Sequence, residues 1–279
     1  MEFGDPMNKE PWRLILDPTP ARGAWNMAAD EAILGACSRG ESLPTLRLYA
    51  WEPACISLGY AQPYRDVDVI RLQTHGWELV RRPTGGKAVL HTDELTYSVI
   101  GRADEPRLAG TVLESYNRLS QALVEALRLI NLPVETEEHA VTNQRNTDPV
   151  CFDVPSTYEI TVGGKKLVGS AQARRKEGVL QHGSLPLNGD LTRIVEVLSF
   201  PDENTRRLAA QRLLAHATTV ETALGSILSW ETVAQAFVVA FGSVLKLDLR
   251  PADLTPLEKS RARALVEEKY AHPSWIQRH

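Results

Sequence analysis

Cys151 lies in the segment Val150-Cys151-Phe152-Asp153-Val154-Pro155, and Lys166 follows fifteen residues later, just past the pair Gly163-Gly164. An unperturbed thiol has a pKa near 8.5 and is only a few per cent thiolate at neutral pH, whereas a cation held beside it lowers that pKa by roughly one to several units. A cysteine with a lysine in reach is therefore the equipment of nucleophilic acyl transfer through a thioester. On composition alone a lone cysteine is more often a small buried hydrophobe, and lysines after a glycine pair more often end a solvated hairpin. In a regular strand Lys165 and Lys166 point to opposite faces, so only one of them can share a cleft with Cys151.

A second group of residues is Arg81-Arg82-Pro83-Thr84-Gly85-Gly86-Lys87-Ala88-Val89-Leu90-His91. Its paired glycines let backbone N–H groups approach an acyl or phosphate ligand, although an ordinary turn between strands has the same composition. The spacing GxxxxGK[ST] is absent, so this is not a P-loop. A third group is Leu167-Val168-Gly169-Ser170-Ala171-Gln172 with Leu180-Gln181-His182-Gly183-Ser184-Leu185. Gly169 inside a strand marks close approach of backbone or ligand. His182 is a candidate base, with a structural hydrogen bond as the competing role. The seven histidines form no HxxxH or similar cluster, and no metal site is expected.

These groups need a scaffold, and the pattern supplies an α+β one. Strands are predicted over 12–17, 45–51, 56–60, 77–82, 95–101, 157–162, 165–174 and 179–187, with Gly163-Gly164 as a hairpin turn. Helices are predicted over 27–39, 66–75 and 111–130. The first carries Ala28, Ala29, Ile33, Ala36 and Cys37 on one face, which places Cys37 in the core. The polar stretch 135–148 reads as connection. From Leu191 onward the pattern is helical, and Thr255-Pro256-Leu257-Glu258 is a capping box with proline at the first helical position. Without regular βαβ alternation, the expected fold is a mixed, largely antiparallel sheet flanked by helices. Residues 1–6 are expected to be a vector-derived leader, 7–250 one catalytic domain and 251–279 a helical C-terminal tail.

At 279 residues, 43% hydrophobic and 24% charged, the chain has the composition of a folded globular protein. A net charge of −4 without a basic stripe argues against nucleic acid as a partner. No stretch approaches the roughly 20 apolar residues of a membrane span. Cys37, Cys55 and Cys151 are an odd number without CxxC spacing or an apolar signal segment ahead of them, the pattern of reduced thiols in a cytoplasmic protein.

Taken together, these blocks resemble the biotin/lipoate protein ligase superfamily, and within it the cysteine-dependent octanoyltransferases of the LipM type. The resemblance rests on residues 81–91 with Asp93-Glu94-Leu95-Thr96-Tyr97-Ser98, on Cys151-Phe152 before Pro155-Ser156, on 164–172 and on 180–185, and extends to Glu268-Lys269-Tyr270 and Ser274-Trp275. It implies the ligase catalytic-domain fold and transfer of octanoate from acyl carrier protein to the lipoyl-domain lysine of an acceptor, the glycine cleavage H protein or a dehydrogenase E2 subunit. Cys151 would carry the thioester and Lys166 would polarise the acyl carbonyl. Arg82, Gly85, Gly86, His91, Gly169, Ser170, Ala171, His182 and Gly183 would bind substrate, with no cofactor or metal required. Lys87 departs from both patterns, since ligases of this superfamily carry a third glycine there and the octanoyltransferases an arginine. The rival readings are an ATP-dependent lipoate-protein ligase, an amidotransferase acting from the H protein, and a binding protein without turnover. The base that deprotonates the acceptor lysine is not identified by the resemblance.

Overall fold

The structure is a computed structural model and describes residues 9–138, 158–176 and 178–279. The chain opens with strand β1 (Glu10–Ala21), helix α1 (Gly23–Ser38), β2 (Thr45–Trp51) and β3 (Cys55–Leu58), followed by a 3₁₀ turn at Tyr64–Asp66 and helix α2 (Val69–Thr74). Strands β4 (Glu78–Arg81), β5 (Val89–His91) and β6 (Glu94–Gly101) lead to helix α3 (Val112–Leu129). Then come β7 (Glu135–Glu138), β8 (Tyr158–Val162), β9 (Lys165–Arg175) and β10 (Gly178–Pro186). Helices α4 (Arg193–Glu196), α5 (Glu203–His216), α6 (Val220–Leu224) and α7 (Trp230–Val244) precede β11 (Leu247–Pro251), α8 (Pro256–Leu265), a π turn at Val266–Tyr270 and α9 (Pro273–Ile276).

Eight strands form one sheet in the order β11-β1-β2-β6-β10-β9-β8-β7, and β4-β3-β5 form a second. The large sheet is mixed: β11, β1 and β2 run parallel, and the remaining pairs are antiparallel. This is the expected α+β architecture. Helices α3 and α7 cover one face through Leu119, Leu123, Leu127, Phe237 and Phe241, which pack on Leu46, Leu48, Tyr97 and Val99. Complete burial of each phenylalanine stabilises by about 1.5–3 kcal/mol. Helix α1 lies on the opposite face, with Ala28, Ala29, Ile33 and Cys37 inside as its periodicity requires.

The sequence reading needs three corrections. Leu247–Pro251 is a strand within a stretch read as helical, because its partner β1 is more than 200 residues away in the chain and only tertiary contact reveals it. Glu135–Glu138 is a strand rather than connection, paired with β8 at the sheet edge, where a polar strand is tolerated. Helix α1 starts at Gly23, four residues ahead of the predicted start at Met27, and the Asn26 amide donates to the carbonyls of Ala21 and Ala50 at 3.3 and 3.0 Å. The capping box at Thr255 forms as read, and its Glu258 also receives a bidentate bond from Arg13 at 2.9 and 2.7 Å. Cap and ion pair together fasten α8 to β1, and α8 packs along α1.

Candidate active site

The face of the large sheet turned toward α1 is built by strict alternation. Arg47, Tyr49 and Trp51 of β2 stand beside Ser98, Thr96 and Glu94 of β6, then His182 and Ser184 of β10, then Ala171 and Gly169 of β9. At Lys166 the alternation breaks. Ile160 pairs with Val168 while its neighbour Thr161 pairs with Lys166, so β9 carries one extra residue, Leu167. Regular pleating would put Lys166 on the α3 face with Val168 and Ser170, and the extra residue shifts the parity of β9 at this point. Lys166 is only 5% exposed, and its carbonyl accepts from the Thr218 N–H at 3.0 Å.

Over this floor sit the small sheet and the glycine loop, enclosing a cavity of about 460 Å³ including its open mouth. Its lining includes Arg82, Gly86, His91, Gly169, Ser170, Ala171, His182 and Gly183, eight of the nine residues singled out as substrate-binding. Gly85 lies beside the cavity and offers its carbonyl to Arg82 at 2.8 Å. Arg82 faces the cavity but also organises the loop, donating to the Ser57 carbonyl at 2.8 Å, Ser57 Oγ at 3.1 Å and the Lys87 carbonyl at 2.7 Å. Gly86 adopts φ +94°, open to glycine at little cost, and its carbonyl occupies the space that a side chain at Gly59 would need. Cys151 lies outside the described residues. Cys37 and Cys55 are buried thiols whose pKa values burial pushes up, to about 11 for Cys37 and well above the ordinary value for Cys55. Neither is equipped to act as a nucleophile.

Two histidine networks line the cavity. His182 Nε2 is 2.6 Å from Thr84 Oγ, and its Nδ1 faces Asp30 Oδ2 at 3.7 Å, beyond hydrogen-bond length. The Asp30 carboxylate accepts from Arg47 at 2.9 Å, Tyr49 at 3.0 Å and Ser98 at 3.0 Å. Burial opposes the Asp30 charge, but His182 and Arg47 outweigh it and hold its pKa below the ordinary carboxylate value. Burial likewise lowers the His182 pKa, and Asp30 offsets this only in part. In the second network His91 Nε2 is 2.7 Å from Ser57 Oγ and His91 Nδ1 is 2.7 Å from Glu94 Oε1. Glu94 also accepts from Thr96 and Ser184, and the His91 ring stacks on Trp51 at 3.9 Å. Sequence reading missed Asp30, Arg47, Ser57, Thr84, Glu94 and Ser184 as parts of the site. The buried acids and Arg47 carried a usable signal, because charges inside apolar patterns demand partners.

Among the described residues no group of three or more His, Cys, Asp or Glu is arranged to hold a metal, and no helix is long and apolar enough to cross a membrane. The chain belongs to the lipoyl protein ligase A/B catalytic domain family, which it matches over residues 22–242. It is 43% identical over 276 residues to an octanoyltransferase LipM of Moorella thermoacetica, covering 98% of this chain and 100% of the relative. A second octanoyltransferase LipM, from Kyrpidia tusciae, is 41% identical over 269 residues and covers 95% and 97%. Among solved structures, a bi-partite lipoate protein ligase from Thermoplasma acidophilum superposes with a TM-score of 0.79 at 28% identity, covering 97% of both chains. A lipoate-protein ligase A bound with ATP gives 0.75 at 27% identity, covering 97% of this chain and 99% of that one.

Proposed function

We infer that the protein is an octanoyltransferase of lipoate biosynthesis, an acyltransferase that places octanoate on a lipoyl-domain lysine. The observation that carries this is full-length similarity to octanoyltransferases LipM at 43% and 41% identity, against 28% and 27% for the ligases. The cleft is consistent with it, since its floor of Gly169 and Ala171 and its wall of Met27, Trp51 and Val89 suit a short alkyl chain.

In the proposed chemistry the Cys151 thiolate attacks the carbonyl of octanoyl acyl carrier protein, the carrier thiol leaves, and an acceptor lysine attacks the resulting acyl-enzyme. Acceptors are the glycine cleavage H protein or a dehydrogenase E2; one of the structural relatives was solved as part of a lipoylation system with its E2 lipoyl domain. Lys166 acts as the ammonium that favours the thiolate and donates to the developing oxyanion, a role of this type typically contributing about 3 kcal/mol. Its place on β9, three residues from the cavity-lining Gly169, supports this role. Thioester exchange is nearly balanced and amide formation runs downhill, so the cycle needs no nucleotide.

Intact-mass measurement after incubation with octanoyl carrier protein tests the proposal. An octanoyl adduct is expected on the native protein and not on Cys151→Ala, with transfer to apo acceptor independent of ATP. An adduct retained by Cys151→Ala, or activity only with free lipoate and ATP accompanied by pyrophosphate release, would replace this reading with that of a ligase.

A further inference from the structure

We propose that Ser57, His91 and Glu94 form the relay that removes the proton from the attacking acceptor amine, with Ser57 and His91 catalytic and Glu94 positioning His91. The inference rests on the octanoyl-transfer reading and adds to it the missing base. A lysine ammonium with a pKa near 10.4 is almost wholly protonated at neutral pH and cannot attack a carbonyl until it loses a proton.

The geometry is that of a hydroxyl, an imidazole and a carboxylate in line. Ser57 Oγ to His91 Nε2 and His91 Nδ1 to Glu94 Oε1 are both 2.7 Å. With Glu94 accepting at Nδ1, a neutral His91 carries its proton there and presents Nε2 as the acceptor for the Ser57 hydroxyl. Ser57 and His91 both line the cavity. The relay is also at the appropriate end. Ser184, which donates to Glu94, pairs with Gly169 of β9, three residues along the strand from Lys166. The alternative histidine, His182, pairs with Ala171, further along β9 from Lys166, and Asp30 stands 3.7 Å from its Nδ1.

In the proposed step the ammonium gives a proton to Ser57 Oγ while the Ser57 proton passes to His91 Nε2, leaving imidazolium against the Glu94 carboxylate. The amine lone pair then forms the C–N bond. As the C–S bond breaks, the surplus proton on nitrogen goes to the departing sulfur, giving amide and thiol, and His91 returns its proton to solvent. Desolvation of the ammonium in the cleft and the charge of Glu94 both favour the first transfer. The other titratable or charged groups around His91 are Cys55, its pairing partner on β3, Arg82, which reaches it through Ser57, and His182 on β10.

The test is single-turnover deacylation of isolated octanoyl-enzyme, comparing apo acceptor lysine with hydroxylamine, a nucleophile already neutral at working pH. In Ser57→Ala and His91→Gln the ratio of lysine transfer to hydroxylamine cleavage is expected to fall about 100-fold or more, the usual range for loss of a positioned base. The pH profile of lysine transfer should change in His91→Gln and in Glu94→Gln, while the hydroxylamine profile of both stays as in the native protein. Equal losses with both nucleophiles, or an unchanged profile in His91→Gln, overturn the relay while leaving acyl transfer intact. An unchanged ratio in Ser57→Ala does the same, and that variant keeps the ring and carboxylate should His91→Gln not fold. Failure of the native protein to form any octanoyl-enzyme overturns the acyl-transfer reading and the relay with it.

Discussion

His182 and His91 line one cavity from opposite walls, His182 on the floor of the large sheet and His91 in the small sheet above it, and their surroundings differ in kind. The His182 wall is fixed charge: Asp30 is held by the fully buried Arg47, by Tyr49 and by Ser98, while Asp17 and Asn26 occupy the rest of the Arg47 guanidinium. The His91 wall is a chain of hydroxyl, imidazole and carboxylate whose free end opens on the cavity. A buried ion network resists change, and a proton relay requires it. The first wall is accordingly the scaffold that aligns α1 with the sheet, and the second is the wall on which chemistry is proposed.

The contrast is most exposed to Asp30→Ala, which leaves Arg47 buried with fewer partners. A loss of about 3 kcal/mol in urea unfolding is expected, toward the low end of broken buried pairs because Asp17 and Asn26 remain. Glu94→Gln keeps shape and most acceptor capacity and should cost less than about 1.5 kcal/mol while impairing transfer. Equal destabilisation by the two substitutions would erase the distinction. Gly183→Ala comes next: a β-carbon there would lie 2.6 Å from Tyr97 Cε1 and 2.7 Å from the Gly169 carbonyl. About 1–3 kcal/mol of lost stability is expected, with slower turnover as β9 shifts under the cleft.

The smallest effect is a pH dependence. The folded pKa of His182 lies below its ordinary value of 6.5, so as pH falls through about 6.5 the unfolded chain takes up a proton that the folded chain does not. Stability contributed by this group is full above that pH and declines below it, by at most about 1.4 kcal/mol per pH unit, until the folded pKa is reached. Asp30, with its lowered pKa, acts in a separate window below the ordinary carboxylate value of 3.8. Thermal unfolding between pH 7 and 5 should therefore flatten in His182→Gln relative to native, and an unchanged slope would remove His182 from the neutral, buried role given to it.

Much of the scaffold was legible because local pattern and tertiary environment agree. Thr45–Trp51 was read with its observed bounds since both faces are buried and the turns on either side are well marked. The Gly163-Gly164 turn was read from composition, and φ values of +56° and +70° show why two glycines are needed there. The glycine loop and the β9 and β10 motifs come together around one cavity. The strand β11 was not legible, because a five-residue segment becomes a strand only when a remote edge accepts it.

The sequence by itself determined the class of fold, the elements that carry the glycine loop and the lysine strand, and the family to which the chain belongs, since each of these resides in local periodicity, turn chemistry and motif spacing. Only the tertiary structure decided where β9 breaks its alternation beside Lys166, because a single bulge residue reverses side-chain parity and its location depends on strand register. It also decided the company of each histidine. Ser57 and His91 are 34 residues apart and meet only when β3 pairs with β5 in the small sheet, whereas Thr84 and His182 are 98 apart and meet only when the glycine loop lies over the large sheet.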